Sequence, residues 1–414
     1  MPQFRRVLAA EIVSNFGSML TRLVIPWIAT LMLVATPLQM GVLAAADVAA
    51  GAAGALLIGA LVDRMSTRRV MIAADLVRAA LLALLALAAW RGLVTMPLLI
   101  LIATASGLAS MAFELARSAW IAQNINSETL ASRNAQLAAA GNLTEAVSFG
   151  IGGWIYQALG AALSLAVDAL SYLVSAACLA RVGDAAASDR RAKPRVTLRA
   201  LVDETRAGIE TLSGEPTLRG LACVHLVVAV GMSLAGTSYM IYVARDLALD
   251  PGVLGMIFAV GGIGSALGAA FARRIGRRIG SRRAVVFGLA VAAAGAILIP
   301  LASAPALAAV VLLVGHQLIG DAGYVLHEIH DRTLRQSIAP ADQLARVDAA
   351  IRTLGQIATL AGALGGGVLA TIVGARFALF LAAGALLIAA VLGAVLLGPA
   401  GGRERPEAPP YRAC

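Results

Sequence analysis

Residues 59–69 read GALVDRMSTRR, a charged stretch between two apolar segments, 38–61 and 70–90. A similar stretch, GAAFARRIGRR, begins at Gly268, 209 residues later, and it also follows an apolar segment. In this alignment Ala272 stands where the first copy has Asp63. A repeat at about half the chain length predicts a molecule built from two similarly folded halves.

A second set of matches, 213 residues apart, supports the repeat. The paired residues are Gln123, Ile125, Arg133 and Gly153 in the first half and Gln336, Ile338, Arg346 and Gly366 in the second. Two parallel six-helix repeats, with the substrate site at the midplane between them, are a known transporter architecture.

The composition of the whole chain places it in a membrane. Hydrophobic residues make up 60% of its 414 residues and charged residues 14%, whereas soluble domains are about 45–50% apolar and about 25% charged. This excludes an ordinary soluble protein, a disordered chain and a disulfide scaffold. A membrane crossing needs about 20 apolar residues. Twelve segments meet this length: 7–34, 38–61, 70–90, 96–116, 134–159, 161–180, 218–244, 251–271, 284–303, 305–328, 347–373 and 376–398.

The basic residues predict the orientation. The net charge is +10, and nearly all of the 33 Lys and Arg residues fall in loops on one side or in the tail, while the opposite loops contain Arg91, Arg245 and Arg376. Because basic loops stay in the cytoplasm, we expect both termini inside. We expect no cleaved signal peptide, so that the first segment directs its own insertion.

Composition also predicts the domain boundaries. Residues 1–180 and 217–399 form the two six-helix bundles, and the charged stretch 181–216 is a cytoplasmic linker with an amphipathic helix on the inner leaflet. The tail, 400–414, is rich in Pro, Arg and Glu and is expected to be disordered.

The chain resembles the major facilitator superfamily through residues 59–69, which are similar to its loop motif between the second and third helices. It resembles more narrowly the macrolide-efflux-like and enterobactin-exporter-like permeases. That resemblance is carried by Asp63-Arg64 with Arg68-Arg69, by residues 75–78 (DLVR) and by residues 168–175 (DALSYLVS).

The resemblance implies an all-α membrane protein with twelve transmembrane helices in two pseudo-symmetric bundles. It also implies a charge latch that closes the cytoplasmic side. Asp75 and Arg78, three residues apart on a helix, can pair and are interpreted as part of that latch. The latch residues are Gly59, Asp63, Arg64, Arg68, Arg69, Asp75 and Arg78.

Polar residues inside the first segment form a stripe. Glu11, Asn15, Ser18 and Arg22 are spaced 4, 3 and 4 residues apart and therefore share one helix face. Such a stripe avoids lipid, so it lines a central cavity or makes polar contacts with another helix. Arg22 would attract an anionic substrate or pair with Asp47 in the second segment.

The tenth segment has the most polar face in the chain. Gln317, Asp321, Tyr324 and Glu328 recur at helical spacing. A carboxyl as deep as Asp321 can bind and release the proton of a coupled carrier, although a structural role stays open. His327 and His330 are three residues apart, not the four of a zinc-binding helix motif, and we expect no metal site.

Other segments contain further candidates. Glu145 is a cavity candidate, whereas Asp168 is interpreted as a scaffold hydrogen-bonding group. The fourth segment, 96–116, contains no arginine. Glycine runs at 150–153 and 365–367 predict close helix packing or a hinge.

These features predict a secondary transporter of the bacterial inner membrane rather than an enzyme. We expect export of a small hydrophobic or amphiphilic compound, such as a drug, natural product or siderophore, by proton antiport and alternating access. The partners would be the substrate, protons and the bilayer, without nucleic acid or cofactor, and the protein would be a monomer. The alternatives are an uptake permease, or a transport-inactive sensor or scaffold of the same fold.

Overall fold

The computed structural model describes residues 2–62, 65–183, 198–340 and 342–398, and the regular structure of these residues is helical. The helices up to residue 180 are α1 (Pro2–Trp27), α2 (Pro37–Val62), α3 (Thr67–Trp90), α4 (Met96–Asn124) and α5 (Ser127–Ala180). The later helices are α6 (Leu198–Gly214), α7 (Pro216–Ile241), α8 (Pro251–Ile279), α9 (Ser281–Ala296), α10 (Leu298–Leu301), α11 (Ala306–Ile338), α12 (Leu344–Val373) and α13 (Ala375–Leu396).

Helix α5 contains two membrane crossings. Its 54 residues would extend about 80 Å if straight, far more than one bilayer. Gly160 interrupts the helix with φ 71° and ψ −178°, a conformation open almost solely to glycine. The break lies between the predicted segments 134–159 and 161–180, where the chain turns back across the membrane.

The described residues provide twelve crossings. Ten helical segments are long and apolar enough to span a membrane, and one of these, Ser132–Ala180, is the pair divided at Gly160. Helix α2, with 26 residues, adds the twelfth crossing. The predicted twelve-helix, all-α membrane fold is confirmed.

The helices pack as two bundles that meet along two main helix–helix contacts. Helix α5 packs on α1 and α3 in the first bundle, whereas α11 packs on α8 and α9, and α7 on α12 and α13, in the second. The bundles meet where α2 packs on α12 and where α5 packs on α8. A buried apolar cluster that includes Trp27, Leu85, Tyr242 and Leu254 continues through both bundles.

The structure corrects the register of the repeat. Helices α3 and α9 begin at Thr67 and Ser281, which are 214 residues apart rather than 209. Two π-helical turns, Ile28–Met32 and Tyr242–Asp246, are 214 residues apart too, and so are Val34 and Ala248, which both have φ 48°. Position 63 therefore corresponds to Arg277, not Ala272, because helix starts and turns define the structural repeat.

The two sides of the molecule differ in basic residues. We call the side with the starts of α1, α3 and α9 the arginine-rich side, and the side with Arg91, Arg245 and Arg376 the arginine-poor side. The predicted separation of basic loops is thus present in the described chain. The cytoplasmic location of the arginine-rich side stays a prediction.

The amphipathic helix predicted in the linker is α6, but it packs against protein. A Cβ on Gly208 would lie 2.3 Å from the Arg346 carbonyl oxygen of α12, and Thr211 Oγ1 lies 2.8 Å from Gln343 Oε1. The described part of this helix therefore contacts the second bundle, and its location on the inner leaflet stays a prediction. Residues 184–197 of the predicted linker and the predicted tail 400–414 lie outside the described residues.

Candidate functional site

A cavity of about 910 Å³ lies between the two bundles. Helices α1, α2, α3, α4 and α5 contribute to one wall, and α7, α8, α9, α11 and α13 to the other. Apolar side chains such as Ile25, Leu43, Met240 and Leu386 form much of the lining. The cavity is therefore shared by both halves of the repeat.

Most of the predicted site residues line this cavity. They are Glu11, Asn15, Arg22, Asp47, Gln317, Asp321 and Tyr324. Glu145 does not; it lies in a second pocket of about 520 Å³ between α1, α4 and α5. Glu11 and Asn15 line both spaces. Glu145, predicted to line the central cavity, lies instead in this second pocket.

The stripe on α1 both lines the cavity and contacts other helices. Glu11 forms an ion pair with Arg117, Asn15 Nδ2 lies 3.4 Å from the Gly141 carbonyl oxygen, and the Ser18 hydroxyl lies 2.8 Å from the Tyr172 hydroxyl. The stripe therefore lines the cavity and also makes polar contacts with other helices. Arg22 is exposed to the cavity, and the ion pairs of the described residues do not join it to Asp47.

Sequence reasoning missed Glu114 and Arg117 on α4. The predicted segment ended at 116, but α4 continues to Asn124, so Arg117 reaches Glu11 inside the bundle. Glu114 lines the central cavity. Their spacing of three residues at the end of an apolar run was a usable signal, because such a pair extends a helix face rather than ending it.

Asp75 and Arg78 form the predicted ion pair in a buried network near the middle of α3. The Arg78 guanidinium carbon lies 4.1 Å from the Tyr172 ring centre and 4.8 Å from that of Phe113, and Asp75 Oδ2 accepts a 2.6 Å hydrogen bond from Ser175. The described contacts of this network join α3 to α4 and α5. The network reaches the cavity at Arg78, and its part in the latch stays a prediction.

In the loop part of the predicted latch, Arg68 makes a side-chain contact with another helix. Its Nε lies 3.2 Å from the Leu179 carbonyl oxygen at the end of α5, within the first bundle. Arg282, the counterpart of Arg68 at an offset of 214, binds the Leu397 carbonyl oxygen at 2.7 Å. Asp63 and Arg64 lie outside the described residues, and the Arg69 backbone N–H donates to Ser66 Oγ. Closure of the cytoplasmic side by this motif stays a prediction.

Asp168 is fully buried and hydrogen-bonded. Its carboxylate accepts from the hydroxyls of Thr21 and Ser171, the second at 3.0 Å. A Cβ on Gly17 would lie 2.0 Å from Asp168 Oδ1, so α1 approaches the carboxylate through its backbone. This geometry supports the scaffold role.

The arginine-poor end of the cavity is closed by contacts between the bundles. Arg245 Nη2 donates to the carbonyl oxygens of Thr30 and Ala35 at 2.7 and 2.9 Å. The Gly252 backbone N–H donates to Gln157 Oε1 at 3.1 Å. The arginine-rich end has no comparable seal among these contacts of the described residues.

Among the described residues that line the cavity, Asp321 is the carboxylate that the second bundle contributes. Its Oδ2 lies 2.4 Å from the place of a Cβ on Gly261, so the carboxylate rests against the backbone of α8. No hydrogen bond or ion pair joins it to another described residue. A carboxylate without a donor partner at a cavity wall is available to bind a proton or a ligand.

The sequence matches the Major Facilitator Superfamily over residues 7–363 and again over 221–413. No curated protein sequence matches the chain.

Solved structures share the fold at low sequence identity. The nucleoside transporter NupG has a TM-score of 0.76 and 13% identity, covering 96% of this chain and 99% of its own. A bacterial metal transporter has a TM-score of 0.71 and 15% identity, with coverages of 95% and 98%. A bacterial homologue of the human lysosomal transporter Spinster, inward-facing and occupied, has a TM-score of 0.72 and 13% identity, with coverages of 96% and 97%. Together with the two bundles and the cavity between them, the sequence match shows that this chain belongs to the Major Facilitator Superfamily of membrane transporters.

Proposed function

We propose that this transporter exports a small hydrophobic or amphiphilic compound from the cytoplasm in exchange for protons. The observation that carries the proposal is the Asp321 carboxylate, which has no partner among the described residues and faces a largely apolar cavity between two bundles. An ionisable residue inside a membrane protein is energetically costly, and such residues commonly mark a substrate, ion or proton pathway. Protonation of Asp321 would favour one of two open states, and substrate binding would favour the other.

The remaining parts of the proposal rest on sequence. Export rather than uptake is supported by the resemblance of residues 75–78 and 168–175 to macrolide and siderophore exporters. The bacterial inner membrane, with both termini in the cytoplasm, is supported by the arginine-rich side. A single chain contains the whole cavity, which supports a monomer.

Transport in reconstituted vesicles tests the proposal. The purified chain would be inserted into vesicles with an imposed pH gradient, and a panel of amphiphilic drugs and siderophores would be followed. We expect at least one compound to accumulate against its concentration gradient, and we expect this accumulation to disappear when the pH gradient is removed. Failure of every compound to move, together with unchanged toxicant sensitivity in a deletion strain, would contradict export. Uphill movement in the opposite sense would favour the uptake permease.

Substitution of Asp321 tests the coupling. We expect Asp321→Asn to abolish uphill transport while substrate exchange without a gradient persists, because the amide cannot carry the proton but occupies the same volume. The matched control is Asp203→Asn on the exposed surface of α6. Normal uphill transport by Asp321→Asn would remove this residue from the mechanism.

A further inference from the structure

The two walls of the cavity differ in charge. The basic side chains that line it, Arg22 and Arg78, both belong to the first bundle among the described residues. The second bundle contributes Asp321 and no Lys or Arg to the described lining. Because Asp321 has no cationic neighbour on its own wall, this wall attracts positive charge.

Two aromatic side chains, Tyr239 and Phe258, line the same wall of the cavity as this carboxylate. The Tyr239 and Phe258 ring centres are 5.7 Å apart, and the ring centre of Phe149 in the first bundle also lies 5.7 Å from that of Phe258. Phe258 precedes Gly261 by three residues on α8, so both lie on one helix face about 4.5 Å apart along the axis. Asp321 and Tyr239 both line the cavity from the second bundle.

Glycine positions the carboxylate. A Cβ on Gly261 would lie 2.4 Å from Asp321 Oδ2 and 3.3 Å from Gln317 Nε2. One turn further along α8, a Cβ on Gly264 would lie 2.3 Å from the Gln317 carbonyl oxygen. The close approach of α8 to α11 therefore depends on these glycines, and it holds the Asp321 carboxylate against Gly261, one helical turn from Phe258.

A buried hydroxyl in the same wall has no partner. Tyr239 lines the cavity, and its hydroxyl oxygen is buried without a hydrogen bond in the structure. Buried hydroxyls are nearly always hydrogen-bonded. A ligand with an N–H group would donate a hydrogen bond to this hydroxyl oxygen, whereas an apolar ligand would leave the hydroxyl without a partner.

We propose that Asp321, Tyr239 and Phe258 form a subsite for an organic ammonium ion attached to an apolar body. The inference rests on the proposed function, because it assigns the chemical class of the transported compound. Asp321 neutralises the ammonium charge, the two rings contact its alkyl groups through cation–π attraction, and the Tyr239 oxygen accepts an ammonium N–H. The rest of the compound occupies the apolar part of the cavity.

Equilibrium binding to the purified protein tests the subsite without any transport. The probes are benzyltrimethylammonium and its neutral carbon isostere neopentylbenzene, compared by calorimetry in one detergent. We expect the cation to bind tighter by roughly 2- to 30-fold, the range that cation–π contacts alone provide. Equal affinity of the two probes for the native protein would overturn the proposal, and this comparison needs no variant that must fold.

Variants locate the preference. Asp321→Asn, Tyr239→Leu and Phe258→Leu should each reduce the difference between the probes, because each variant removes one of the groups that attract the cation. Tyr239→Phe should leave binding of the quaternary probe intact and weaken binding of protonated benzyldimethylamine, because the ring remains and the hydroxyl does not. Asp203→Asn is the control, and each variant is first checked by size-exclusion chromatography.

The outcomes separate this subsite from export itself. If the protein prefers the ammonium probe but exports nothing, the result supports the subsite and contradicts the proposed function. If the protein exports compounds but does not prefer the cation, the result supports the proposed function and contradicts the subsite. Loss of the preference in Asp47→Asn but not in Asp321→Asn would place the cation on the first bundle and overturn the proposal.

Discussion

At the scale of single residues, the buried carboxylates of the first bundle have defined partners. Asp168 accepts from Thr21 and Ser171, and Asp75 binds Arg78 and Ser175. The spacing of Asp75 and Arg78 on one helix was enough to predict their pairing. The rings of Tyr172 and Phe113 on either side of Arg78 come from other helices, so no local pattern indicates them.

Removal of the Asp168 carboxylate should destabilise the first bundle. We expect Asp168→Ala to lower the free energy of unfolding by about 1–3 kcal/mol, because the buried hydroxyls of Thr21 and Ser171 lose their acceptor. Asp168→Asn keeps one carbonyl acceptor and should cost less. The midpoint of thermal unfolding in detergent measures both, and an Asp168→Ala midpoint equal to that of the native chain would argue against the scaffold role.

At the scale of helices, the bundles approach through backbone contacts at glycines. A Cβ on Gly153 of α5 would lie 2.1 Å from the Pro251 carbonyl oxygen of α8. A Cβ on Gly41 of α2 would lie 2.5 Å from the Ala363 carbonyl oxygen of α12. The glycine run at 150–153 was predicted to serve packing or a hinge. The contact is present, and a hinge stays a prediction.

An added methyl group at the α5–α8 contact should push the two helices apart. We expect Gly153→Ala to destabilise the protein by about 1–3 kcal/mol, the usual cost of overpacking. Gly365→Ala is the matched control, because a Cβ on Gly365 meets nothing within 4 Å. The thermal midpoints of the two variants are compared. Equal midpoints would show that α5 and α8 can separate without cost.

At the scale of the whole molecule, one end of the cavity is held shut by a contact that the repeat does not duplicate. Arg245 lies in the second π-helical turn and donates to the carbonyl oxygens of Thr30 within the first turn and Ala35 just after it. Its counterpart at an offset of 214 is Leu31, which cannot donate a side-chain hydrogen bond. The pseudo-symmetric turns therefore form a one-sided clamp between the bundles.

Loss of this clamp should shift the protein toward a state open at the arginine-poor side. In a variant without its native cysteines, Ile25→Cys in the cavity wall would be labelled by an impermeant maleimide from each side of a vesicle. We expect Arg245→Leu to increase labelling from the arginine-poor side and to decrease it from the other. Arg245→Lys keeps the charge without the forked donors and should be intermediate. Unchanged labelling of Arg245→Leu would show that the apolar cluster alone closes this end.

Sequence by itself determined the membrane class, the twelve crossings, the turn at Gly160 and the separation of arginines between the two sides. These features are local, because a membrane helix satisfies its own backbone hydrogen bonds and needs only length and apolar composition. Tertiary structure decided which charges have partners. It paired Glu11 with Arg117, moved Glu145 to a second pocket, left Asp321 without a partner among the described residues, and placed Tyr239 and Phe258 on the same wall. These outcomes depend on how each helix rotates and which neighbour its face meets, and residue spacing along one helix carries no information about the neighbour.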